Sequence, residues 1–307
     1  MLRWNSRNSA RSPRPRWSPE GIAGSALSVL LAGVLSVSVG SDVQAQEPRR
    51  IVSTNLCTDQ FVLALADRDQ IAGVSRAGQD PFYSPLSELA KGLPAHRGGA
   101  EEIVMMRPDL VVAGAYTRAD TVHLLDRLSV PVLNVPAATR IQDLFPQIRQ
   151  VADVLGHPDR GAELSRALRQ RYRAFTVPEE RGTGVLYRPG GYALGRDTIA
   201  DDVLRAVGIG NIGSDLGIKG EDRLALEQLI LSPPDFLILA SQRPERPSLG
   251  RRLLQHPALK KMPTSVDTVW FPARYWLCAT PASVEGAETL AAAITEKLND
   301  RNGLSNQ

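Results

Sequence analysis

A gapless internal repeat constrains this chain more than any other feature. Residues 101–114 read EEIVMMRPDLVVAG and residues 227–240 read EQLILSPPDFLILA. Set against each other, Glu101 falls on Glu227, Pro108 on Pro234 and Asp109 on Asp235, each pair 126 positions apart. Each copy reads as the end of a short helix, a turn at Pro-Asp, and a strand (Leu110 to Ala113, Phe236 to Leu239). The strands are unbroken apolar runs without alternation, the pattern of strands covered on both faces by helices. A turn needs only the Pro-Asp pair, so the matched glutamates seven residues upstream mark two related halves.

The chain is therefore expected to be an α/β protein of two similar lobes. Its 307 residues suffice for two ordinary cores. A first lobe of 46–139 reads as strands at 49–53, 71–74, 110–113 and 131–135, with a helix through 59–66 capped from Thr54, Asn55 or Thr58. A long polar loop, RAGQDPFYSPLSELAKGLPAHRGG, precedes the first repeat copy, and loops of that length tend to be functional. From 140 to 176 the period is helical, with Ile141, Leu144, Ile148, Val151 and Leu155, then Leu164, Leu168, Tyr172 and Phe175. This stretch is expected to join the lobes as one long interlobe helix, with Asp143 as cap and Pro146 in the first turn. A second lobe, 177–307, repeats the programme: a strand at 184–187, a loop at 188–195, a helix carrying Leu204 and Val207, and a Gly-rich loop to Gly220. After the second repeat copy come the loop SQRPERPS, a helix, a strand at 265–271, and a closing helix started by Thr280 and Pro281.

Residues 1–45 form a basic n-region, an apolar stretch from Ile22 to Val39, and a Val43-Gln44-Ala45 end with small residues for cleavage. They read as a secretory signal peptide, with a retained membrane anchor as the competing reading. They also explain the sequence pI of about 9.0. Setting aside their five arginines from 36 basic residues, and Glu20 and Asp42 from 33 acidic ones, leaves 31 of each. A neutral remainder implies no nucleic-acid partner.

In open α/β sheets, ligands sit outside the carboxyl ends of the strands. The loops there carry Phe82, Tyr83, His96, Arg97, Tyr116, Arg188, Tyr192, Arg274, Tyr275 and Trp276. Aromatic faces beside arginines suit a large planar or anionic ligand held in a cleft between lobes. The only cysteines, Cys57 and Cys278, form either a disulfide across that cleft or two cleft thiols, with Cys57 near a helix N-terminus tending toward thiolate. The histidines have no zinc-site spacing. An exported enzyme with Cys57 as nucleophile and His96 or His123 as base is the runner-up class, and a purely structural exported protein is a third.

Four stretches together resemble one family: RRIVSTNLCTDQFVLALADRDQIAGVS, AEEIVMMRPDLVVAG, EDRLALEQLILSPPDFLILA and RYWLCATPASVEGAETLAAAI. They are similar to the exported binding proteins of ABC importers for cobalamin, haem and ferric siderophores, over residues 49–297. The resemblance implies a monomeric periplasmic binder that captures a metal chelate without catalysis, by modest closure about a rigid interlobe helix. It further implies that Glu101 and Glu227, one per lobe, dock onto an inner-membrane permease dimer. The family's cobalamin binder sets aromatic residues around the corrin where this chain has the Ala77-Gly78 region and His96. Tyr83, Tyr192 and Trp276 remain for an aromatic wall, and the ligand stays open among the three chelates.

Overall fold

Two separate sheets carry the two repeat copies. The computed structural model describes residues 47–305 apart from 178, 241–253, 255 and 264. The signal-peptide segment, the loop SQRPERPS and most of the helix expected after it therefore lie outside the described residues.

The first sheet comprises β1 (Ile51–Ser53), β2 (Ile71–Ser75), β3 (Ala95–His96), β4 (Leu110–Gly114) and β5 (Val132–Val135). Its order is β3-β2-β1-β4-β5, parallel throughout. Its central strands are buried on both faces, as their unbroken apolar runs require. The helix after β1, Leu56–Leu65, is capped by Asn55, whose side chain accepts from the Cys57 and Thr58 amides while Thr58 reaches back. Such a capping box contributes about 1 kcal/mol. The long polar loop has elements of its own: the 3-10 turn Arg76–Gln79, the short helix Ser87–Ala90 and the edge strand β3, all too brief to show any period.

The second sheet comprises β6 (Gly182–Arg188), β7 (Tyr192–Leu194), β8 (Ile209–Asn211), β9 (Glu221–Arg223), β10 (Phe236–Ala240) and β11 (Asp267–Phe271). Its order is β11-β10-β6-β7-β9, with β8 alongside β6. The sequence reading is corrected here, because the segments taken as loops at 188–195 and up to Gly220 contain β7 and β8, and the unexpected strand β9 follows directly after Gly220. The first half of β6 pairs with β8 in parallel, and its end turns back through Gly190-Gly191 to pair antiparallel with β7.

The repeat holds at the level of register. Leu110 in β4 pairs with Ile51 in β1, and its counterpart Phe236 in β10 pairs with Gly184 in β6. The repeated aspartates explain why. Asp109 accepts the Arg49 and Arg50 amides at 2.8 and 2.9 Å, and Asp235 accepts the Thr183 amide at 2.8 Å. Each thus satisfies backbone donors where the neighbouring strand enters its sheet.

The interlobe connection is two helices, Ile141–Leu155 and Pro158–Phe175, rather than one. Gly156 ends the first at φ +85°, a left-handed conformation that costs a side-chain-bearing residue, and Pro158 starts the second at its favoured first position. At Gly161 an added Cβ would lie 2.3 Å from the Ala152 Cβ, so the two helices pack closely. Asp143 is not the cap: its carboxylate reaches back to the Arg140 amide, and Pro146 falls in the second turn. The pair grips both sheets' surroundings. Arg160 donates to the Leu65 carbonyl and Asp67, the Ile141 amide donates to Asp202, and Arg171 pairs with Glu288 of the closing helix Ala282–Ser305. One apolar cluster runs from Ile51 and Phe61 through Phe145 and Ile148 to Leu204 and Ile294.

Candidate functional site: the interlobe cleft and the repeat helices

The carboxyl ends of the two sheets meet. Cys57, just after β1, is bonded to Cys278, just after β11, with Cα atoms 5.3 Å apart across a sequence separation of 221. This resolves the alternatives open in the sequence: no thiolate is available at Cys57, and the Cys57 nucleophile of the enzyme reading is lost. Beside the cystine lies a narrow pocket of about 40 Å³ lined by Thr58, Phe61, Tyr116, Pro136, Ala138 and Ala279. On its first-lobe rim, Thr117 Oγ1 accepts from the Gly114 amide and the Asn55 side chain and shares a 2.7 Å bond with the Thr54 hydroxyl. This network was not legible in the sequence.

The expected ligand-facing residues divide. Tyr116 is 68% exposed at the pocket mouth. Arg97 is exposed, and Tyr83 is half-buried with Phe82 edge-on at 4.9 Å. Tyr192 lies on β7 with the Arg223 guanidinium 5.6 Å from its ring centre. Arg188 is committed to Glu221 at 2.6 Å. Arg274 is half-buried, 5.2 Å from the Tyr275 ring. Tyr275 is a core residue whose hydroxyl donates to Glu285 at 2.7 Å, with burial pushing its phenol pKa upward. Trp276 is 8% exposed and packs on Phe271 at 4.5 Å, and among the described residues its indole N–H has no partner.

His96 corrects the sequence reading most clearly. It is 1% exposed, its Nδ1 accepts from the Gly98 amide at 2.9 Å, and its Nε2 lies 2.7 Å from the Ser53 carbonyl. Those partners require the neutral Nε2–H tautomer, and burial holds its pKa below the usual range. The ring therefore braces the end of β1, with neither nitrogen left for a ligand or a base role. Next to it, Asp59 is buried against Ser53 and Ser75, accepting from both hydroxyls and the Ser75 amide. Burial pushes its carboxyl up to about 7 despite those hydrogen bonds.

The repeat helices Ala100–Met105 and Leu226–Leu231 present matched faces. Ile103 and its counterpart Leu229 are fully buried and anchor each helix to its lobe. Glu101 and Glu227 are exposed, and among the described residues neither carboxylate is in an ion pair or hydrogen bond. Glu102, by contrast, accepts the Arg97 amide.

Several known proteins are similar to this chain. The cobalamin-binding protein of Halobacterium salinarum is 29% identical over 199 residues, 62% of this chain and 54% of that protein. The match thus spans about half of that relative's length. The vitamin B12-binding protein of Salmonella choleraesuis is 26% identical over 238 residues, 73% of this chain and 85% of its own. Among solved structures, the periplasmic heme-binding protein from Roseiflexus sp. RS-1 superposes with a TM-score of 0.67 at 24% identity, covering 81% of this chain and 98% of that one. The periplasmic vitamin B12 binding protein of Vibrio cholerae gives 0.63 at 16% identity, covering 81% and 97%. At these identities the structures establish the fold. Residues 51–265 match the family model for periplasmic binding proteins, and the chain belongs to that family.

Proposed function

We propose that this chain is the exported solute-binding component of an ABC import system. It takes a bulky metal chelate between its lobes and hands it to an inner-membrane permease dimer, as a monomer and without a catalytic step. The observation that carries this reading is the cystine, because residues 5.3 Å apart bring the carboxyl ends of both sheets face to face, where α/β sheets hold ligands. A cystine also suits an oxidising compartment, in keeping with a periplasmic location and the signal-peptide reading of residues 1–45.

Cobalamin or a ferric siderophore is the first candidate, supported by the two relatives named for cobalamin and vitamin B12. Haem is the alternative within the family. Tyr116, Tyr83 and Tyr192 offer ring faces, and Arg97 and Arg274 offer cations. A pocket of about 40 Å³ is far below the several hundred a drug-sized ligand fills. This pocket therefore does not by itself hold a chelate. Glu101 and Glu227, without ion-pair or hydrogen-bond partners among the described residues, suit paired cations on a two-fold symmetric permease.

The test is native mass spectrometry of the chain purified from its own source, followed by absorbance titrations with cyanocobalamin, a ferric hydroxamate and hemin. A co-purified chelate with a matching tight titration is the expected result. Absence of binding to all three at micromolar concentration rejects the proposal.

A further inference from the structure

Beyond the paired glutamates, the two repeat helices share a second exposed feature. Met105 is 81% exposed and Leu231 is 82% exposed, the two highest values among the large apolar side chains exposed in the described structure. They too are 126 positions apart, at the same place in the repeat. Each lies four residues after its glutamate, so carboxylate and apolar tip share one helix face, about one turn apart. A single exposed apolar residue on a surface needs no explanation. Two at equivalent positions, each paired with an unpartnered carboxylate, do.

Nothing in the folding of either lobe requires them there. The inward side of each helix is already served by Ile103 or Leu229, both fully buried. In the first lobe the Arg50 guanidinium donates to the Met106 and Arg107 carbonyls and holds the helix end that carries Met105. In the second, Ile230 is 40% exposed beside Leu231 and widens the apolar patch.

We infer that Met105 and Leu231 are twin apolar anchors of the docking surface, each seated in a recess of the permease dimer beside the cation that takes Glu101 or Glu227. The inference rests on the docking reading above and adds the partner's chemistry: two copies of one site, each combining a cation with an apolar recess about one helical turn away. The carboxylates supply a salt-sensitive attraction that steers encounter, and the anchors supply salt-insensitive retention once water is excluded. Seating a Met or Leu side chain is worth roughly tenfold or more in affinity per lobe.

The probe is the permease complex held in nanodiscs, chosen as the one whose ATP hydrolysis rises when the wild-type chain is added. Binding is measured for the wild type, Met105→Ser/Leu231→Ser and Glu101→Gln/Glu227→Gln, at low and high salt, with chelate affinity and melting temperature measured on the free proteins. The serine pair is expected to lose roughly a hundredfold in affinity equally at both salts, mostly through faster dissociation, with chelate binding and melting unchanged. Each single serine variant should lose about half of that on a logarithmic scale. If the serine pair binds within twofold of wild type while the glutamine pair fails, the anchor inference is overturned and the docking reading stands. If neither pair affects binding, both fall. If the wild type instead self-associates and the serine pair does not, the patches join copies of this chain and the inference is overturned.

Discussion

Removing the Cys57–Cys278 bond should cost this protein a large share of its stability. The bond closes a loop spanning a sequence separation of 221. In the chain-entropy treatment, freeing the unfolded chain from a loop of that size is worth about 5 kcal/mol at 25 °C. Cys278 is buried, so alanine rather than serine is the cleaner replacement, since it buries no new hydroxyl. Cys57→Ala/Cys278→Ala is therefore expected to lower unfolding free energy by about 3–5 kcal/mol, or the melting temperature by roughly 10 °C. Urea unfolding followed by tryptophan fluorescence and far-ultraviolet circular dichroism gives the number, and reduced wild type should fall with the alanine pair. A loss below about 1 kcal/mol in both samples would refute the reasoning. It would mean that residual structure already keeps the two cysteine positions close in the unfolded ensemble, so that the covalent link adds nothing.

Other outcomes follow from particular residues. Because burial raises the Asp59 carboxyl to about 7, the folded protein holds a proton there that the unfolded chain releases near pH 4. This group therefore favours the folded state most below pH 4 and withdraws up to about 4 kcal/mol as pH rises to 7, then levels off. Asp59→Asn, which keeps an acceptor for the Ser75 amide, should flatten that slope, and parallel stability curves from pH 4 to 8 would contradict it. Gly156→Ala places a side chain at φ +85° and against Glu47, and should cost about 1–2 kcal/mol in thermal unfolding. Glu101→Arg with Glu227→Arg should abolish chelate uptake in a transport assay while leaving chelate affinity unchanged, and a matching loss of affinity would assign those residues to ligand binding instead. Trp276→Ala should destabilise by about 3–5 kcal/mol, as for a buried aromatic, and a variant of native stability would remove Trp276 from the core.

The parts of the fold that could be read in the sequence are those whose signal is local. β4 and β10 appear as apolar runs after Pro-Asp, the interlobe helices as a 3.6-residue period, and the Asn55 cap as a residue type before that period begins. What could not be read depends on partners far away in the chain. β9 is three exposed polar residues, Glu221–Arg223, that form a strand only because β7 offers a free edge. The break between the interlobe helices, by contrast, is local: it is written as Gly156-His157-Pro158, and the apolar sets before and after it fall on opposite faces of any continuous helix, although the sequence reading joins them as one helix. His96 lies in a loop rich in ligand-type residues, and only its bonds to Ser53 and Gly98 reveal a brace. Tyr275 and Trp276 have the composition of a binding wall, but Phe271 and Glu285 draw them inward. Met105 and Leu231 were visible in the aligned repeat as two apolar letters. Their solvent exposure was not, because a six-residue helix shows too little period to separate inner from outer positions.

The two halves are fastened by the paired helices, by an apolar cluster that runs through both, and by a covalent bridge. The bridge is short and pins one point of each half against the other. Any parting of the sheets to admit or discharge a guest must then pivot on that point, so the residues beside the cystine travel least.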